Sequence, residues 1–341
     1  MLNYDLKLYS LNDVTIIPAT TTTTRHRIEG DICYQDAMLP IFTAPMSCVI
    51  DENNWEAFYD QGINTIIPRS VNLETRLNLM YKTWIAVGLE EFKENFVNND
   101  VLDLLEPTYT SAYVCIDIAN GHMQYMIDLV KEAKEKHGEL LQLMVGNIAN
   151  PYTYEDLAKA GVDYIRFGIG SGNVCTTSAN SGVHYPMASL LDSTKIFRDF
   201  LISTKQITNV PKIIADGGFK NFDQINKALA LGADYVMLGE IFAKSEEACG
   251  KTFEYNGLLS REYYGMSTRR AQKEFGKDGT KTAEGILKCV PIEYPLSRWV
   301  DNFKHWLREA MSLTDCKNLE EFKTCVDLGI MSPQGYSSYW K

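Results

Sequence analysis

Residues 152–168, YTYEDLAKAGVDYIRFG, and residues 221–239, NFDQINKALALGADYVMLG, follow one plan. Each begins with a polar stretch that is apolar at helical spacing: Tyr154, Leu157 and Ala158 in the first, Ile225, Ala228 and Leu229 in the second. A glycine, Gly161 or Gly232, stops the helix, and a D-Y-apolar strand start follows. Asn221 stands where a helix N-cap is expected. Two such units predict a chain that alternates amphipathic helices with short buried strands.

Working outward, the apolar runs place strands at 39–44, 63–67, 84–88, 112–118, 141–146, 164–168, 212–215 and 234–238. Eight strands with helical crossovers predict an α/β fold, a (β/α)₈ TIM barrel with its site in the loops at the strands' C-terminal ends. A doubly wound sheet would normally carry G-x-G-x-x-G after an early strand, and no strand here does. We read residues 1–341 as one barrel domain. After the last strand, about 250–291 is too long and polar for a plain loop and reads as a flap. Amphipathic helical segments are expected over about 296–330.

The formal net charge of −11 disfavours nucleic-acid backbones and anionic membranes as partners. The N-terminal stretch lacks the apolar run of a signal peptide, and no segment approaches about eighteen uncharged apolar residues. None of the eight cysteines forms a C-x-x-C pair. The expectation is a cytoplasmic protein with free thiols, most of them packed as small hydrophobes.

Chemistry concentrates in the loops. Residues 168–178, GIGSGNVCTTS, put Cys175 behind Gly168, Gly170 and Gly172. A glycine-rich turn at a strand end lets backbone dipoles activate a thiol, although a cysteine buried in a tight turn fits the pattern equally well. The string ADGG at 215–218 delivers Asp216, Gly217 and Gly218: a carboxylate able to accept from a ribose diol, or else a cap for the following helix. Gly239 ends the last strand, where barrels often bind phosphate. Glu284, in TAEG, is a general acid/base candidate or a solvated loop charge.

In this order, NDVTIIP (12–18), APM (44–46), CIDIANGH (115–122), VGN (145–147), GIGSGNVCTTS, ADGG, ADYVMLG (233–239), YGMS (264–267) and AEG (283–285) resemble the IMP dehydrogenase/GMP reductase family over about residues 5–291. The resemblance implies a barrel enzyme in which Cys175 attacks C2 of a purine nucleotide and Thr177 assists proton transfer. It implies substrate contacts at Met46, Asn173, Asp216, Gly217, Gly218, Gly239, Glu240, Gly265, Met266 and Ser267. Cofactor contacts would come from Arg69, Asp117, Ala119, Asn147, Gly168 and Gly170. Carbonyls of Gly170, Gly172 and Cys175 would hold a monovalent cation such as K⁺. A homotetramer is implied as well.

The spacing of strands two to four leaves no room for an inserted pair of CBS domains, and residues 268–291 lack the Arg-Tyr pair of a dehydrogenase flap. The resemblance is therefore closest to GMP reductase: an NADPH-dependent oxidoreductase deaminating GMP, or a close guanine derivative, to IMP, with Glu284 working beside Thr177. An IMP dehydrogenase-like oxidoreductase, or a purine-binding regulatory barrel, stands as the alternative.

Several positions depart from the family pattern. Glu240 occupies a place that family members fill with Gly or Ser, and Asn173 replaces a phosphate-binding Ser. Either Glu240 opens a helix and faces solvent, or the 5′-phosphate site is altered and the substrate is a nucleoside, a base or a modified purine. Arg269 and Arg270 would then bind a displaced phosphate, pair with Glu240, or form a solvated face. Ser47 and Ser178 replace an acidic and a basic residue, and Arg69 stands where reductases have Lys.

Overall fold

The computed structural model describes residues 7–34, 36–104, 110–265, 268–274, 285–332, 334–335 and 337. Eight parallel strands form one sheet: β1 (Ile41–Thr43), β2 (Ile66–Ile67), β3 (Trp84–Val87), β4 (Ala112–Asp117), β5 (Leu141–Ile148), β6 (Tyr164–Phe167), β7 (Lys212–Asp216) and β8 (Tyr235–Leu238). β1 pairs with β8. On its other side Thr43 N–H donates to the Asn64 carbonyl at 2.9 Å and Asn64 N–H to that of Ile41 at 3.0 Å, so the sheet closes just ahead of β2. The chain folds as the expected (β/α)₈ barrel, and all eight strands lie within the stretches read from the sequence or extend them by one or two residues.

The strands are short apolar runs because they are covered on both faces. Outward side chains such as Ile85, Val114, Ile165 and Ile213 pack under the helices. Inward ones fill the barrel from below with Phe42, Trp84, Tyr164 and Tyr235, whose rings meet edge-on or tilted at 4.9–6.1 Å. Ile66, Ala86, Cys115, Met144, Ile214 and Met237 lie in the same interior cluster, which makes the barrel a packed core with its functional face at the strands' C-terminal end.

Helices form where periodicity placed them, at Thr153–Lys159 and Phe222–Ala230, with Tyr154, Leu157, Ile225, Ala228 and Leu229 buried. Asn221 occupies the N-cap position of the second, but its side chain makes no capping hydrogen bond. Lys220 N–H is taken instead by the Gln224 side chain at 2.7 Å.

Beyond β8 the flap region is organised as a three-stranded antiparallel sheet, Thr252–Tyr255, Leu258–Tyr263 and Lys288–Pro291, with a helix Arg269–Glu274 between the last two strands. The C-terminal segments are helical over Leu296–Leu313 and Leu319–Thr324. The last part of the stretch expected to be helical, Leu328–Ile330, is instead a strand, antiparallel to Val14–Ile16. No described helix is long and apolar enough to cross a membrane.

Asp234, at the foot of β8, anchors these additions. Its Oδ2 accepts the Ile213 N–H at 2.8 Å and its Oδ1 accepts Lys323 Nζ at 2.7 Å, both side chains almost fully buried. Burial opposes the charge on Asp234, yet Lys323 and Lys212 outweigh it and hold the carboxyl below the usual range. Burial likewise opposes the Lys323 charge, and Asp234 holds that ammonium above its usual range. The pair's contribution is present between the ordinary carboxylate and ammonium pKa values, roughly pH 4 to 10, and is lost as pH falls through the Asp234 pKa or rises through that of Lys323. Asp234→Ala leaves the buried Lys323 with only the exposed Glu320, at 2.7 Å, as a partner and should cost up to about 3–5 kcal/mol in urea denaturation, while Asp234→Leu with Lys323→Met should recover most of it. A single-variant loss under about 1 kcal/mol would mean that the pair does not pin the C-terminal helix.

Candidate active site

The cavity at the top of the barrel has a volume of about 500 Å³, within the range of small-molecule sites. Its electrostatic centre is Arg166, which the sequence reading did not single out. Asp117, Gly146 and Arg166 are successive register partners across β4, β5 and β6. Gly146 has no side chain, so the guanidinium reaches over β5, and Nη1 meets Asp117 Oδ1 at 2.6 Å. A Cβ on Gly146 would stand 2.5 Å from that of Arg166. On the other side Nη2 and Nε donate to Asp216 Oδ2 at 2.8 and 3.3 Å. Burial works against this cation, but Asp216 and Asp117 more than offset it and keep it charged, well above the ordinary arginine range.

Asp216 therefore does not cap the following helix. Asn147 Nδ2 adds a third hydrogen bond to its Oδ2 at 2.7 Å and also donates to the Gly168 carbonyl at 2.8 Å. All three bonds fall on Oδ2, leaving Oδ1 without one among the described residues. Gly168 has φ +135°, and a Cβ there would strike the Asp216 carbonyl at 2.3 Å, so this strand-to-loop turn requires glycine.

Cys175 stands beside this hub. Its thiol donates to Thr177 Oγ1 at 3.2 Å, and its N–H is held by the Gly172 carbonyl at 3.0 Å. The flap closes over it: Gly285 forms an antiparallel bridge with Cys175, and Ile286 N–H donates to the Val174 carbonyl at 2.9 Å. Glu284, Met266 and Ser267 lie outside the described residues. Cys115, on the inward face of β4, differs in kind, since burial pushes its thiol up to about 12 and keeps it protonated at neutral pH.

The same cavity gathers Met46, Asn173, Gly172, Gly217, Gly218, Gly239, Glu240 and Gly265 around Cys175 and Asp216. Across from them it is lined by Arg69, Asp117, Ala119 and Asn147. Arg69 Nη1 donates to the Asp117 carbonyl at 3.3 Å. Gly168 and Thr177 stand behind the lining and touch it through Asn147 and Cys175, whereas Gly170 lies off it, bonded to Ser178. The Gly170 carbonyl accepts from Ser178 Oγ at 3.0 Å and that of Gly172 from Cys175, so a cation would have to share both oxygens.

Glu240 begins a short helix, Glu240–Ala243, and its side chain is partly exposed, at 21%. Its Oε2 is inaccessible and accepts no hydrogen bond. The arginines do not partner it: Arg270 pairs with Glu262 at 3.4 Å, and Lys288 of the flap sheet lies 3.7 Å from Glu240 Oε2. Tyr263, at 4% exposure, closes the same corner. Its phenol is pushed far up by burial and by nearby Cys48, Glu240 and Asp216, and stays neutral.

Residues 102–338 match the family model described as the IMP dehydrogenase/GMP reductase domain. The chain belongs to the IMP dehydrogenase/GMP reductase family. It is 28% identical over 332 residues to a GMP reductase of Streptococcus pyogenes, with 94% of each chain covered. It is 37% identical over 223 residues to an inosine-5′-monophosphate dehydrogenase of Chlorobaculum parvum, covering 62% of this chain but 43% of that one. A Methanocaldococcus jannaschii inosine-5′-monophosphate dehydrogenase is 34% identical over 240 residues, at 65% and 47% coverage. The chain thus spans less than half the length of these dehydrogenases. The family is one of oxidoreductases that use a nicotinamide cofactor and act on small purine nucleotides.

Arg166→Lys keeps the charge but cannot reach Asp117 and Asp216 together. The two lost charge-assisted hydrogen bonds should cost about 1.5–3 kcal/mol each in chemical denaturation. Unchanged stability would show that the fork is dispensable.

Proposed function

We propose that this protein is an NADPH-dependent reductase that removes the 2-amino group of a guanine nucleotide or nucleoside through a covalent bond to Cys175. The supporting observation is the seat of Cys175: its thiol lies 3.2 Å from Thr177 Oγ1 and its backbone bridges Gly285, the chain neighbour of Glu284, at the rim of a cavity that also holds Asp216. Coverage of 94% of both chains by the S. pyogenes GMP reductase favours the reductase direction over the dehydrogenase one.

On this reading Asp216 is fixed by Arg166 and Asn147 through Oδ2 and offers Oδ1 to a ribose hydroxyl, which orients the base toward Cys175. The Cys175 sulfur adds to C2 of guanine. Thr177, with Glu284 as the group that protonates, moves a proton to the departing amine, and ammonia leaves a thioimidate on Cys175. A bound nicotinamide dihydronucleotide supplies a hydride to C2. The sulfur is then expelled with its electron pair and the hypoxanthine product is released. The sum is guanine derivative, NADPH and two protons giving hypoxanthine derivative, NADP⁺ and ammonium. Arg69, Asp117, Ala119 and Asn147 form the wall on which the nicotinamide would lie, with Arg69 available to its phosphates. We place the protein in the cytoplasm, as its free cysteines suggest, and as a homotetramer, as the family resemblance implies.

The test is NADPH absorbance with the whole chain, offered GMP and guanosine in parallel with ammonia release, and IMP plus NAD⁺ as the opposing arm. We expect NADPH oxidation matched by ammonia, a Cys175-linked adduct by mass spectrometry, and a loss of about a thousandfold or more in Cys175→Ala. Turnover that survives Cys175→Ala, or turnover with IMP and NAD⁺ alone, would overturn this function.

A further inference from the structure

In (β/α)₈ barrels the loops after the seventh and eighth strands are the usual seat of a phosphate. Here those loops are Gly217–Gly218 and Gly239–Glu240. The glycine turns have the close-packed form such a seat needs: Gly217 and Gly218 have φ +93° and +86°, and a Cβ on Gly239 would stand 2.7 Å from the Tyr263 hydroxyl. What occupies the corner is a carboxylate. Glu240 lines the same cavity as Cys175 and Asp216, and its Oε2 is cut off from water and accepts no hydrogen bond.

The surrounding charges do not convert this corner into an anion site. Arg166 is committed to Asp117 and Asp216, and Arg270 pairs with Glu262. Tyr263 is a buried neutral phenol. Lys288, 3.7 Å from Glu240 Oε2, is matched by that carboxylate. A phosphomonoester carries about −1.5 to −2 at neutral pH and would be set against the like charge of a partly buried Glu240. Lys288 faces Oε2, while Oε1 is the oxygen left accessible and without a hydrogen bond among the described residues, an acceptor that a ligand donor can reach.

We infer that the site selects purine nucleosides, whose 5′-hydroxyl donates to Glu240, and rejects the corresponding 5′-monophosphates. This rests on the proposed placement of the base at Cys175 and the ribose at Asp216, and it narrows the substrate class to the unphosphorylated guanine nucleoside. Glu240 is then the residue that sets specificity, with Lys288 holding it in place.

The test is calorimetric binding of guanosine and GMP to the full chain, with Glu240→Ser and Glu240→Gln alongside. Wild type should bind guanosine at least tenfold more tightly than GMP. Glu240→Ser should gain at least tenfold for GMP while weakening guanosine, and so reverse the preference. Glu240→Gln, closest in shape, serves if the serine variant misfolds: it keeps an acceptor, should hold guanosine within about threefold, and should still narrow the gap to GMP. Wild type binding GMP as well as guanosine, binding neither, or keeping the same ratio in both variants would overturn the inference. The NADPH assay separates the two proposals. Reduction of GMP but not guanosine leaves the reductase standing and removes the nucleoside preference, whereas preferential guanosine binding without hydride transfer does the reverse.

Discussion

A guanidinium buried between two carboxylates governs the top of this barrel. Arg166 is about 5% exposed and would be prohibitively placed without Asp117 and Asp216, while those two acids would repel each other across the cavity without Arg166. Each fixes the others, and the consequences spread. Gly146 has to be a glycine so that the arginine can pass, and Asn147 beside it completes the hold on Asp216. Asp216 in turn presents one oxygen to the cavity, and its carbonyl accepts from Ser171 Oγ at 2.6 Å, which ties the cysteine loop to β7. The two walls of the cavity and the loop that carries the thiol are thereby referred to one cation.

Most of the barrel was legible because buried parallel strands are apolar on both faces and stop at glycine. That same feature hid Arg166. In YIRF both neighbours of the arginine are apolar, so the sequence does not tell which parity points inward. Register with Gly146 and Asp117 decides it, and register is a property of three strands together. A lone arginine in the middle of an otherwise apolar strand was the available signal. The flap sheet was illegible for a different reason: Thr252–Tyr255 alternates polar and aromatic over only four residues and is mostly exposed, too short a run to stand out. Leu328–Ile330 is too short for any periodicity, and its pairing with Val14–Ile16 is a contact across nearly the whole chain.

The site's chemistry was legible as a set of loops, since glycine clusters at strand ends mark close approach whatever the substrate. Its electrostatics were not. Glu240 was visible as a departure, but arginines close by in sequence were the natural partners to expect, and the structure supplies Lys288 from a different sheet. Charge pairing of this kind is decided by where the flap strands fall over the barrel mouth, not by spacing along the chain.

The seam between Val14–Ile16 and Leu328–Ile330 also orders events in time. During synthesis the first of these segments leaves the ribosome before any barrel strand, and its partner is made after all eight. It must wait, unpaired, while the strands are added at about 5–20 residues per second. Closure of β1 against β8 imposes a similar delay on the barrel itself. The edges left open in that interval are what a newborn chain has to keep from its neighbours, so for this molecule the hazard of association lies before completion and ends with it.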